Sequence, residues 1–317
     1  MNVISNKPKT LCTIVSEREL MGSWKSSSDE PLLTVRCITF NHEPYIRDAL
    51  NGFLSQRTDF PFQIVIHDDA STDGTQEVLK EYAASYPNVI TLVLQKENLW
   101  SRGISLNPYL SPLVQGKYIA LCEGDDFWTD PAKLQKQVDF LEVNPDFVVS
   151  GHDAFIVDEK GEIISNSKLP KRYKRDFLGE DLIHGRCHIL TMSMVFRNVE
   201  LEDVFEKSQI KNGDRFLISR LGWFGSYKYH ENIAPAGYRR HPGGIWSASN
   251  DTKRFLMSMS TLIGIASYYN RLDKTSARDS FIQQAQRKVI STLGTAELIR
   301  VIGTRVYRKL RGLMGKA

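Results

Sequence analysis

Cysteine is scarce: Cys12, Cys37, Cys122 and Cys187 are scattered along a chain of 317 residues. No two of them form a CxxC pair, so neither a disulfide framework nor a zinc or redox motif is available, and a reducing cytoplasm fits best. Long apolar runs are missing as well. No stretch reaches the ~18 residues of a membrane span, and the opening MNVISNKPKT carries no hydrophobic signal core, so neither spanning nor secretion is indicated. Internal repeats and low-complexity segments are also lacking. With 41% hydrophobic and 25% charged residues the chain is neither fibrous nor disordered. A large core is expected, arranged as an N-terminal extension over 1–30, a main domain over 31–250 and a C-terminal helical region over 251–317.

The net charge of +4 is uneven. Residues 287–317 hold eight lysines and arginines against the single Glu297, a local +7, which leaves −3 for the rest. Between those basic residues Leu298, Ile299, Ile302, Val306, Leu310 and Leu313 recur at helical spacing, the pattern of an amphipathic helix lying on an anionic membrane surface. A helix packed on its own domain with a solvated basic face fits the same pattern. No aromatic stacking platform accompanies the charges, which argues against nucleic acid as a partner.

From Leu32 onward strand-like and helix-like segments alternate, as in a parallel sheet with crossover helices. Strands are expected at 32–40, 62–67, 89–94 and 117–122, apolar enough to lie under helices, and further strands at 147–157 and 188–196. Helices are expected at 43–55, 74–86 and 130–142, the last with Pro131 in its first turn. A polar, basic stretch around Lys168 to Arg175 reads as a surface loop.

Two of the apolar strands run straight into acids: QIVIHDDASTDGT supplies Asp68 and Asp69, and YIALCEGDD supplies Glu123, Asp125 and Asp126. Ligands of an open α/β sheet bind outside the carboxyl ends of its strands. Carboxylates converging there repel one another unless a cation or hydrogen-bond donors compensate, and a hard Mg²⁺ or Mn²⁺ ion would do so while also binding phosphates. Turn and cap chemistry explains Asp68, Asp69, Ser71 and Asp73 equally well. Three acids within four positions, followed by Phe127 and Trp128, exceed what a cap needs.

In this order and spacing the motifs TFNHEPYIRDAL, HDDASTDGT, KENLWSRGISLN, GKYIALCEGDDFWTDPAKLQKQVDFL, NGDRFL and YRRHPGGIWS resemble the family-2 glycosyltransferases with the GT-A nucleotide-sugar-binding fold. The resemblance runs from about Leu33 to about Ser247. It implies an α/β fold with a mixed, mainly parallel sheet flanked by helices, followed here by a C-terminal helical extension.

It further implies that Thr39, Asn41 and one or both of Asp68 and Asp69 surround the nucleotide base. Arg102, Gly103 and Asn107 lie in the segment beside the donor. EGDD matches the family's D-x-D element with Glu123 in place of the first Asp, so Asp125 becomes the leading metal ligand. Glu123, with Gly124 beside it, falls to the ribose or the metal, and Asp126 is a second ligand or the cap of the next helix. Asp214 matches the general base, with Phe216, Leu217, Leu221 and Trp223 facing inward. An N-cap role fits Asp214 too. His241 matches a residue touching the metal or diphosphate, Arg239 or Arg240 could pair with phosphate oxygens, and Gly243 and Gly244 would let a loop close over the donor. Trp128, Trp223 and Trp246 could stack on sugar rings, though large aromatics more often serve the core.

The implied activity is an inverting, Mn²⁺- or Mg²⁺-dependent transfer of a sugar from a nucleotide-diphosphate donor, a UDP-sugar, to a saccharide or lipid-linked acceptor in cell-surface glycan biosynthesis. The location would be cytoplasmic, peripheral on the inner membrane face through 287–317. Two other enzymes or modules are disfavoured: a nucleotidyltransferase needs a glycine-rich phosphate grip that TFNHEPY lacks, and a phosphoacceptor domain needs a lysine at a later strand end. The remaining alternative is a non-catalytic nucleotide- or carbohydrate-binding protein with a membrane-docking tail.

Overall fold

The structure is a computed structural model that describes residues 13–25, 30–244 and 249–292. In chain order its regular elements are α1 (Glu17–Gly22), β1 (Leu33–Thr39), α2 (Ile46–Leu54), β2 (Phe62–Asp68), α3 (Thr75–Ser85), β3 (Ile90–Leu94), α4 (Asn107–Leu110), β4 (Tyr118–Leu121), α5 (Lys133–Val143), β5 (Phe147–Gly151), β6 (Ala154–Val157), β7 (Ile163–Ser165), α6 (Gly179–Ile183), β8 (Val195–Arg197), α7 (Gly213–Leu221), β9 (Ser226–Tyr229), β10 (Ala236–Arg239), α8 (Asp251–Arg271) and α9 (Thr275–Thr292).

Seven strands form one sheet in the order β3-β2-β1-β4-β8-β5-β9. The β3, β2, β1 and β4 strands run parallel, β8 opposes β4 and β5, and β9 again lies parallel to β5. Helices α2, α3 and α5 cover this sheet, which is why β1 and β2 read as nearly continuous apolar runs: Leu33, Val35, Cys37, Ile64 and Ile66 are all fully buried. A second sheet has the order β10-β6-β7. The architecture is thus a mixed, mainly parallel sheet flanked by helices, with helices at the C-terminal end.

Two expected strands come out differently. The 147–157 segment splits into β5 and β6, which belong to different sheets. At the break Asp153 is buried, and its Oδ1 accepts from the N–H groups of Ala154 and Leu169 at 2.8 and 2.9 Å, which turns the chain out of the first sheet. The 188–196 segment is strand only from Val195. Before that it makes a 3₁₀ turn over Thr191–Ser193, where the Ser193 hydroxyl donates to the Leu190 carbonyl at 2.8 Å.

The chain divides into two compact units, one of residues 1–203 and 217–250 and one of residues 204–216 and 251–317. In the second, α8 and α9 pack as a helical pair through Leu262, Ile265, Tyr269, Phe281 and Ala285. The buried Glu206 carboxylate accepts from Arg271 at 2.7 and 3.1 Å and so fastens the 3₁₀ segment Phe205–Gln209 to α8. The expected basic amphipathic helix lies outside the described residues except for its first six positions, 287–292, which end α9. Among the described residues no helix is long and apolar enough to cross a membrane.

Candidate active site

The first unit places the ends of β1, β2 and β4 side by side, and the loops leaving them are tied to one another. After β1, Asn41 takes the left-handed conformation (φ 55°) that asparagine tolerates. Its N–H donates to the Ser71 hydroxyl at 2.8 Å, and its Oδ1 accepts from the Thr72 N–H at 2.7 Å. Next, the His42 N–H donates to the Thr75 hydroxyl at 2.9 Å and the Glu43 N–H to Asp73 Oδ2 at 3.1 Å. The Glu43 carboxylate accepts in return from the Gly74 N–H at 2.9 Å. The STDGT turn therefore acts as a bracket for the segment Asn41–Glu43.

Asp68 and Asp69 are both buried, and both serve this scaffold. The Asp68 carboxylate accepts from the Ser71 N–H at 3.0 Å, the Gln76 amide at 2.6 Å and the Ser71 hydroxyl. The Asp69 carboxylate accepts from the N–H groups of Leu99 and Trp100 at 2.8 and 3.0 Å, which holds the loop after β3 against the sheet edge. Arg102 projects from that loop and pairs with Glu97. Asn107 accepts from the Arg36 guanidinium at 3.1 Å.

At the end of β4 the chain enters Glu123–Asp126. Gly124 is buried against Thr39, and a Cβ there would meet the Thr39 hydroxyl at 2.7 Å, so this turn admits only glycine without displacement. Glu123 is exposed, Asp125 half-buried and Asp126 buried. Alongside runs the exit of β10. The Phe127 N–H bonds the Gly237 carbonyl at 3.1 Å and the reverse bond measures 2.8 Å, while the Arg239 N–H donates to Asp126 Oδ1 at 2.9 Å. This pairing carries His241 to Asp125, with Nε2 3.0 Å from Oδ2. Asp126 is thus no cap of the next helix, since α5 starts seven residues later at Lys133.

His42 completes the group. Its Nε2 lies 3.9 Å from the same Asp125 oxygen, and its ring centroid is 5.7 Å from that of His241. One ligand atom from each of His42, Asp125 and His241 falls within 4.8 Å of the others, and so does the set Glu123, Asp125 and Asp126. Burial alone would push the Asp125 carboxyl upward. The hydrogen bond from His241 and the nearby imidazoles outweigh it and hold the group below its ordinary value. Burial, with Asp125 and Glu123 beside it, pushes Asp126 well above the usual carboxylate range, and burial lowers His42, favouring the neutral ring. Both imidazoles thus face the Asp125 carboxylate, His241 by a direct hydrogen bond and His42 at the longer distance.

Several expected site residues fall elsewhere. The Arg239 guanidinium is almost fully buried, bonded to Asp48 at 2.6 Å and to the Asp125 carbonyl at 3.2 Å. It props the turn and is not disposed toward a phosphate, whereas Arg240 is exposed. Asp214 lies in the second unit, in the first turn of α7. Phe216 and Leu221 are buried there, but Trp223 comes after the helix has ended and is 48% exposed. Trp128 is core, its ring nitrogen donating to the Met192 carbonyl at 2.7 Å. Gly243 and Gly244 follow His241 in a turn, with the Gly244 N–H on the His241 carbonyl at 3.2 Å. Trp246 lies outside the described residues.

Residues 34–202 match the family model for Glycosyl transferase family 2. The chain belongs to this family. It is 38% identical over 225 residues to the uncharacterized protein Rv1520 of Mycobacterium tuberculosis strain H37Rv, covering 70% of this chain and 63% of that one. It is 31% identical over 121 residues, 38% of this chain and 44% of the other, to a Bacillus subtilis strain 168 protein provisionally named teichuronic acid biosynthesis glycosyltransferase TuaG. The chain thus spans less than two thirds of the length of these curated relatives. Among solved structures, S. aureus TarS 1–349 in complex with UDP-GlcNAc aligns with TM-score 0.52 at 16% identity, over 73% of this chain and 66% of that one. That likeness is one of fold, the GT-A fold.

The family-2 donor set fits a divalent cation on the structure's own terms. Among the described residues Oδ1 of Asp125 and Oδ2 of Asp126 are buried with no hydrogen-bond partner, an expensive state for carboxyl oxygens that a cation would relieve. Sequence reasoning missed His42, although it stands in TFNHEPY three residues beyond β1, on the same sheet edge as the acids. The rule that ligands gather at carboxyl ends of strands applies to it as much as to them.

Proposed function

We propose that this family-2 chain is an inverting, metal-dependent glycosyltransferase that moves a sugar from a UDP-sugar to a hydroxyl of a saccharide or lipid-linked acceptor in cell-surface polysaccharide assembly. The carrying observation is the convergence of Asp125 and His241, from segments 116 residues apart, on one half-buried point at the sheet's carboxyl edge. The UDP-GlcNAc bound by TarS supports the donor class, and the name of TuaG supports the acceptor class.

In this reading Asp125 and His241 hold Mn²⁺ or Mg²⁺. Such an ion, when bound, acts as a Lewis acid on the diphosphate as negative charge develops there. Glu123 and Gly124 face the ribose side, and Thr39, Asn41, Asp68, Asp69 and Arg102 form or brace the wall around the base. Asp214 is the general base that accepts the acceptor hydroxyl's proton as that oxygen attacks the anomeric carbon. A single displacement inverts the anomeric configuration. Residues 287–317 attach the protein to the anionic inner membrane face.

The test is Asp125→Ala. Sugar transfer and donor hydrolysis are expected to fall by about 10³-fold, the scale for losing a principal electrostatic group, with an unchanged circular dichroism spectrum. Normal activity in that variant overturns the proposal, and a product with the donor's anomeric configuration overturns the single displacement.

A further inference from the structure

We propose that His42 is a third protein ligand of the cation, and that with it the site prefers Mn²⁺ or Co²⁺ over Mg²⁺. The inference rests on the donor-site reading above and adds a residue and a selectivity to it.

Three observations carry it. His42 and His241 present Nε2 atoms to the same oxygen of Asp125, at 3.9 and 3.0 Å. An ion bound at about 2.1 Å spaces its ligand atoms about 3 Å apart when adjacent and about 4.2 Å when opposite, which a set lying within 4.8 Å meets with small side-chain adjustments. Secondly, polar atoms here lack partners. Among the described residues neither Asp125 Oδ1 nor His42 Nδ1, both buried, has a hydrogen-bond partner, so the carboxylate keeps a buried oxygen for a cation to engage. Thirdly, His42 is fixed: its own N–H bonds Thr75 at 2.9 Å, its carbonyl accepts from the N–H groups of Tyr45 and Ile46 at 2.9 and 2.8 Å, and the Asn41 and Glu43 bonds brace it on either side. Only 14% of its side chain is exposed. A preorganised ligand loses little entropy on binding.

The selectivity follows from donor chemistry. Mg²⁺ takes oxygen ligands and sheds water reluctantly, whereas imidazole suits transition metals, whose affinity rises from Mn²⁺ toward Co²⁺ and beyond. His42, Asp125 and His241 would hold the ion through two imidazoles and one carboxylate, which is fewer ligands than such an ion takes, so substrate phosphate oxygens could supply the rest.

The experiment titrates Mn²⁺ into the full-length protein with UDP present, following the free-ion electron paramagnetic resonance signal, with Mg²⁺ as competitor. It compares wild type, His42→Ala, the more conservative His42→Gln, and Asp125→Ala, each checked by circular dichroism. Both His42 variants are expected to weaken Mn²⁺ binding at least about tenfold and to make Mg²⁺ a relatively better competitor, while Asp125→Ala removes binding. If the His42 variants bind Mn²⁺ within twofold of wild type with the same Mg²⁺ competition, and Asp125→Ala still loses it, the inference falls and the donor-site reading stands. If wild type takes up no Mn²⁺, or Asp125→Ala binds like wild type, both fall.

Discussion

The backbone N–H of Arg239 donates to Oδ1 of Asp126 at 2.9 Å, joining residues 113 apart in the chain inside a buried pocket of protein. With the reciprocal Phe127–Gly237 backbone bonds it sets the exit of β10 in register with the acidic turn after β4, and two residues further on His241 arrives at Asp125. Asp126, the most buried acid of the run, thus works as a positioning group. Removing its acceptor in Asp126→Ala leaves a buried N–H unpaired and is expected to cost about 1–3 kcal/mol in chemical denaturation. Asp126→Asn keeps an acceptor oxygen, and since burial already favours the uncharged carboxyl it is expected to cost under about 1 kcal/mol. Equal losses in the two variants would show that Asp126 works as an anion.

Asp214 opens α7 in the second unit, where its assignment as base makes a separable kinetic prediction. Asp214→Asn is expected to lower transfer to the acceptor by about 10²–10⁴-fold while leaving the affinity for UDP within about twofold. A variant that retains transfer, or that loses UDP binding in parallel, contradicts the assignment.

Lys133 gives a prediction about pH. Its side chain is fully buried, its nitrogen sits 4.1 Å from the Trp128 ring centroid with no hydrogen-bond partner among the described residues, and burial pushes its pKa from 10.5 down to about 7. Because the folded value is the lower one, the unfolded chain binds more protons between these two values. The cost of burial is therefore fully present below pH 7 and is relieved as pH rises toward 10.5, by about 1.4 kcal/mol per unit. Lys133→Met is accordingly expected to be more stable than wild type by roughly 2–4 kcal/mol at pH 6, less than the full shift because the indole ring offsets part of it, and the gap should close by pH 10. A gap that does not change with pH would contradict the burial argument.

Deletion of residues 293–317 leaves the described span of α9, Thr275–Thr292, in place. It removes Arg300, Arg305, Arg308, Lys309, Arg311 and Lys316, each worth about 1 kcal/mol near an anionic surface. Sedimentation with phosphatidylserine vesicles at low salt is expected to fall at least tenfold, and unchanged sedimentation would remove the membrane-docking role.

How much was legible follows from the same physics. Parallel strands under helices are apolar on both faces, so β1, β2, β3 and β4 could be read within a residue or two, and the acids beyond β2 and β4 stood out against them. Where one buried side chain redirects the backbone the reading failed. Asp153 divides 147–157 between two sheets, and the Ser193 hydroxyl keeps 191–193 out of β8. Cap statistics explained Asp68 and Asp73 about as well as nucleotide binding did, and the bracket they build around His42 depends on side-chain partners about thirty residues away, which periodicity does not encode. Arg239 looked like a phosphate ligand by charge, but its burial against Asp48 is a tertiary fact.

The most direct measurement is the thermal midpoint of the full-length protein against a panel of nucleotide-sugars, with and without Mn²⁺ or Mg²⁺, in wild type and Asp125→Ala. A ligand at about 100 times its Kd adds about 2.7 kcal/mol to folding stability, a shift of several degrees. Such a shift is expected for at least one UDP-sugar, only with the divalent ion and only in wild type. No shift with any nucleotide-sugar, or the same shift in Asp125→Ala, would contradict a donor site built on Asp125.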